Sequence, residues 1–109
     1  MTTITITKSR AGEYKKITCE GHAGYADKGN DIVCSAISML VINTINSLEA
    51  LTDTKMDVTD NEDEGVINCS FADVPDVGGR LLLDSMVLGL KNVVSQYGSR
   101  YLKLNFKEV

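Results

Sequence analysis

One proline, one histidine and three cysteines are all that this 109-residue chain has of those types, and each scarcity narrows what it can be. An odd cysteine count, with no Cys-x-x-Cys spacing, argues against a disulfide framework and for reduced thiols. The opening run Met1-Thr2-Thr3-Ile4-Thr5-Ile6-Thr7-Lys8 lacks an apolar core and a small-residue cleavage site, so no export signal is expected. The longest charge-free stretch, Ile32 to Leu48, is broken by serines, asparagines and a threonine. It falls short of the ~20 mainly apolar residues that a membrane span needs. No basic stripe offsets the net charge of -4, so no nucleic acid partner is expected. The acidic residues (Asp57, Asp60, Glu62, Asp63, Glu64, Asp73 and Asp76) fit either a solvated surface or a face for a basic partner. Without repeat, linker or low-complexity segment, residues 1–109 read as one cytoplasmic domain.

What is present is clear patterning. Ile4 and Ile6 alternate with threonines, and Tyr14 to Glu20 carries Ile17 and Cys19 on one side, which predicts an antiparallel hairpin. A glycine-rich loop follows, from Gly21 to Asn30, with Gly24 and Gly29 inside it. Asp31 is placed to cap a helix whose stripe is Val33, Ala36, Ile37, Leu40, Val41, Thr44, Ile45 and Leu48. Ile32, Met39 and Ile42 lie off that stripe, so a second cover is expected, either the chain's own sheet or another subunit. Lys55–Val58 and Val66–Phe71 read as two strands joined by an acidic turn. A second helix is expected from about Arg80 to Tyr97, ended by Gly98, and Leu102, Leu104 and Phe106 alternate in a last strand. The order ββαββαβ predicts an α/β (α+β) sandwich, two amphipathic helices packed on a sheet of about five strands.

Chemistry centres on His22 and Cys34. With Asp31 as cap, Cys34 falls in the first helical turn, where the positive end of the helix dipole favours thiolate. His22 follows a strand end, and strand end, loop and helix start meet at one edge of a sheet. Free N–H groups beside Cys34 would hold an oxyanion. The bland alternative is a buried thiol and an exposed histidine. A second alternative is a metal site from Cys19-x-x-His22 with Cys34 and Cys69, although Cys19 and Cys69 read as core strand positions. Phosphate binding by Gly21, Gly24 and Gly29 lacks the Gly-Lys-Ser/Thr ending such loops carry.

The segment Gly21-His22-Ala23-Gly24-Tyr25, followed by Asp31-Ile32-Val33-Cys34-Ser35 and by Ser38 one turn on, resembles the ribosomal-processing cysteine protease family, Prp. The resemblance extends over essentially the whole chain. It implies a cysteine endopeptidase with a His22–Cys34 dyad, no cofactor and no metal. The substrate it implies is the N-terminal extension of large-subunit ribosomal protein number twenty-seven. It also implies a homodimer, with Gly21, Ala23, Gly24, Asp31, Ser35 and Ser38 supporting the site or substrate. Family members usually have alanine at Ser35. The alternative reading is a non-catalytic module that binds a basic ribosomal protein through its acidic surface.

Overall fold

The computed structural model describes residues 1–21, 28–61 and 65–109, with the side chains of the first helix described from residue 32 onward. Among the described residues, five strands and two helices follow in the expected order. They are β1 (Thr2–Lys8), β2 (Tyr14–Glu20), α1 (Lys28–Leu51), β3 (Asp57–Asn61), β4 (Val66–Ser70), α2 (Val77–Tyr97) and β5 (Leu102–Glu108). The sheet order is β3-β4-β2-β1-β5. β1 and β5 are parallel, while β1–β2, β2–β4 and β3–β4 are antiparallel. Each helix is therefore the crossover between two strands that run the same way, which places both on one face of the sheet.

The period of two sorts the two faces. Ile4, Ile6, Ile17, Cys19, Ile67 and Cys69 point to the helices and are buried. The opposite face is nearly all polar; in one row across it Thr59, Asn68, Thr18, Thr5 and Asn105 are paired in turn. There the Thr18 hydroxyl donates to Asn68 Oδ1 at 3.0 Å. From α1 the core takes Val33, Ile37, Val41, Ile45 and Leu48; from α2 it takes Leu83, Met86, Val87 and Leu90. The helices touch closely where Gly89 faces Leu40: a Cβ there would lie 3.1 Å from a Leu40 methyl.

Three boundaries differ from the sequence expectation. α1 starts at Lys28, so Gly29 and Asn30 are helical rather than loop, and Asp31 is inside the helix rather than its cap. α2 starts at Val77, not near Arg80, and its cap is Asp76. In both cases glycines in the first turn look like loop because they weaken helix propensity by about 1 kcal/mol each. At Gly79 the reason is steric, since a Cβ would collide with Thr54 Oγ1. β3 runs over Asp57–Asn61 because its register is set by β4, Val58 lying opposite Cys69 and Asp60 opposite Ile67. Its two aspartates suit an edge strand, where charge discourages pairing with another chain.

One further difference concerns length. Ile32–Leu51, 20 residues at mean hydropathy 1.5, is long and apolar enough to cross a membrane by length and composition. The charge-free run is shorter only because Glu49 interrupts it. Here the same segment is the core helix, with Val33, Ile37, Val41 and Leu48 buried under the sheet.

The α2 cap carries a pH prediction. The Asp76 carboxylate accepts from the Gly79 N–H at 2.7 Å, the Asp53 N–H at 3.1 Å and the Thr54 hydroxyl at 2.9 Å. These bonds, the Gly79 N–H foremost, hold its pKa below the ordinary carboxylate value. A depressed native pKa contributes stability above the unfolded-state value, near about 3.9, and the contribution is lost as pH falls through the native one. Asp76→Ala is therefore expected to lower the melting temperature at neutral pH, and the gap from the parent should close on acidification below about pH 4. Melting curves between neutral and acid pH check this; a gap that does not change with pH would assign the effect to something other than the charged cap.

Candidate active site

Two of the three cysteines are removed from solution chemistry. Cys19 is 1% exposed and Cys69 0%. Burial pushes both thiols up to about 11, Cys19 with help from the neighbouring Glu20 charge. Cys69 Sγ lies 3.7 Å from Met56 Sδ, an apolar setting. Cys34 differs: it is half-buried and sits on α1 at the rim of the core stripe. Among the described residues no group of three His, Cys, Asp or Glu side chains comes together. The metal reading draws on Cys19 and Cys69, which lie in the core, and on His22, which lies outside the described residues.

The start of α1 revises how Cys34 is activated. In a helix beginning at Lys28, the unbonded N–H groups belong to residues 28–31. Cys34 is the seventh helical residue, and its own N–H is committed to the i−4 carbonyl. The dipole's influence fades within the first turn. The helix end thus supplies neither the oxyanion donors nor the main activation that a helix capped by Asp31 would give.

The second element of the site is the end of β2. Glu20 pairs with Thr3 on one side and Val66 on the other, so the chain leaves β2 between two strand ends. Gly21 then adopts φ 77, and its N–H donates to the Gly65 carbonyl at 2.9 Å. A Cβ on Gly21 would stand 2.7 Å from the Met1 carbonyl oxygen. Gly21 is therefore a structural corner that fixes where the chain departs toward His22, the next residue. Gly65, at φ 64, forms the other half of that corner. Sequence reading missed Gly65, although a glycine just before β4 mirrors the one just after β2. Gly21→Ala is expected to lose about 1–2 kcal/mol for the left-handed backbone alone, with the backbone collision adding to it. Denaturant titration measures the loss, and an unchanged midpoint would contradict it.

His22, Ala23 and Gly24 lie outside the described residues, as does the side chain of Asp31. Of the remaining sequence-predicted positions, Ser35 is exposed and Ser38 is half-buried. Cys34, Ser38 and Ile42 form an i, i+4, i+8 row along one side of α1. Ile32 and Met39, 74% and 64% exposed, lie farther round the helix, so the chain's own sheet does not cover that second apolar face.

The family model of the cysteine protease Prp matches residues 1–103. The ribosomal processing cysteine protease Prp of Staphylococcus aureus is 26% identical over 107 residues, spanning 98% of this chain and 100% of the relative. A crystal structure of that organism's essential ribosomal processing protease Prp with a substrate peptide superposes with a TM-score of 0.90, at 25% identity over 98% of this chain and 100% of the other. A second, with a covalently linked product peptide, gives 0.87 at 26% identity over the same shares. A family model matching residues 1–103, with relatives aligned over nearly the whole length, makes this chain a member of the Prp family of ribosomal-processing cysteine proteases.

Proposed function

We propose that Cys34 and His22 form the catalytic dyad of an endopeptidase that removes the N-terminal extension of large-subunit ribosomal protein number twenty-seven in the cytoplasm. The observation that carries this reading is the contrast among the thiols: Cys19 and Cys69 are buried and Cys34 is not. His22 removes the thiol proton, and the sulfur attacks the scissile carbonyl. The C–N bond breaks, the leaving amine takes the proton from His22, and a thioester links the peptide's acyl part to Cys34. Water, deprotonated by His22, then opens the thioester and restores the thiol. A relative solved with a covalently linked product peptide supports such a covalent route.

Asp31, one turn before Cys34, and Ser38, one turn after it, flank the nucleophile on α1 and support the substrate or the dyad. Ser35, beside the nucleophile and exposed, tunes substrate contact. Ile32 and Met39 supply an apolar face for a homodimer, which light scattering reads directly as twice 11.8 kDa. The reading as a whole is tested by mixing the protein with the extended ribosomal protein and following its mass. Loss of the extension is expected; an intact precursor with folded enzyme would reassign the substrate.

A further inference from the structure

The inner side of edge strand β3 is not fully covered by α1. Between them lies a groove of about 190 Å³, lined by Ile42, Ile45, Asn46, Val58, Asp60 and Ile67. Ile45 and Ile67 form its floor at 9% and 7% exposure, while Ile42 and Val58 stand at its walls at 41% and 43%. Asp60 sets a carboxylate at the rim, and three further acids follow at Glu62, Asp63 and Glu64 in the sequence. Ile42 also belongs to the row of α1 that starts at Cys34 and passes through Ser38, so the groove and the nucleophile lie along one side of the helix.

Ile42 lies eight residue steps along the helix from Cys34, about 12 Å along the axis. An extended peptide advances about 3.3 Å per residue, so that distance is covered by about four residues. We propose that this groove is a remote subsite of the peptidase: it takes the apolar side chain about four residues from the scissile bond, and Asp60 selects a basic rather than an acidic neighbour for it. The apolar floor supplies contact area, and the rim carboxylate supplies sign. An acidic residue at the rim meets like charge; a basic one is attracted. The proposal rests on Cys34 as nucleophile only for its register, and binding tests it apart from hydrolysis.

The test uses synthetic peptides spanning the cut site of the extended ribosomal protein. One set varies the residue four positions from the bond (Leu or Gly); a second set varies its neighbour (Lys or Glu), on each side of the bond in turn. Affinity is read by fluorescence anisotropy on Cys34→Ala, which holds peptide without turnover, and kcat and KM on the parent. Leu over Gly and Lys over Glu are expected to bind about tenfold tighter on one side of the bond, with the difference falling on KM. Adding Ile42→Lys should erase the Leu preference, and adding Asp60→Lys should turn the Lys preference into one for Glu. A reversal of charge preference is a gain that misfolding does not produce. Equal affinity across each set, or preferences untouched by either substitution, would overturn the subsite. Binding with these preferences but no hydrolysis by the parent would keep the subsite and remove the peptidase reading. Hydrolysis without them does the reverse.

Discussion

Cys34→Ala is expected to reduce cleavage of the extended ribosomal protein by at least about 10⁴-fold, with the melting temperature nearly unchanged. The size follows from the chemistry. Without sulfur there is no acyl-enzyme, and what remains of the rate comes from binding and orientation alone. The small effect on stability follows from position: Cys34 is half-buried at the rim of the α1 stripe, so truncation removes one partly solvated atom rather than a core contact. The same substitution at Cys69, 0% exposed and packed against Met56, should behave in the opposite way, costing stability and sparing chemistry. Cys34→Ser should also lose nearly all activity, because an alcohol is harder to deprotonate than a thiol. Mass spectrometry of the product and a thermal melt of each variant read both quantities. Trimming by Cys34→Ala at the parent's rate would remove the cysteine from the mechanism.

The two-residue period of the sheet and the three/four spacing of the helices were legible because each depends on one face being buried. Ile4, Ile6, Ile17 and Cys19 all point inward as their alternation required, and α1 buries Val33, Ile37, Val41 and Leu48 as its stripe required. Pairing between distant strands was not legible. β3 is defined by its register with β4, and its sequence, Asp57-Val58-Thr59-Asp60-Asn61, resembles a turn when read alone. Both helix starts failed for a common reason. A local rule penalises glycine, whereas Gly79 is required by the nearness of Thr54. Intrinsic propensity is a weak prior that tertiary packing overrides.

Of the site, Cys34 could be separated from the other cysteines because Cys19 and Cys69 occupy inward strand positions that an alternating pattern reveals. The resemblance supplied the pairing with His22, which spacing alone left open. Gly21 was legible as important but not in its role. Its constraint comes from the Met1 and Gly65 carbonyls, which are remote in sequence or on another strand. The groove beside Ile42 was hidden for the same reason: Ile42 reads as surplus apolar surface until β3 is laid alongside it.

The second large effect is expected at His22, and the start of α1 sets its size. Had the helix begun at Asp31, two devices would have shared the activation of Cys34, the helix end and the histidine. With α1 beginning at Lys28, the free N–H groups lie one turn before Cys34, and the dipole weakens over that turn. In the proposed dyad, deprotonation then falls mainly to His22. His22→Ala is expected to lower kcat/KM by about 10²–10⁴-fold. It should also slow iodoacetamide alkylation of Cys34 at neutral pH by about tenfold or more, since thiolate and not thiol reacts. The alkylation deficit should shrink as pH rises, because hydroxide then does what the imidazole did. Cys19 and Cys69, buried with thiols raised to about 11, contribute little to that readout in the folded protein. Hydrolysis lost with alkylation unchanged would confine His22 to protonating the leaving amine. Both unchanged would break the dyad and return the activation of Cys34 to the helix.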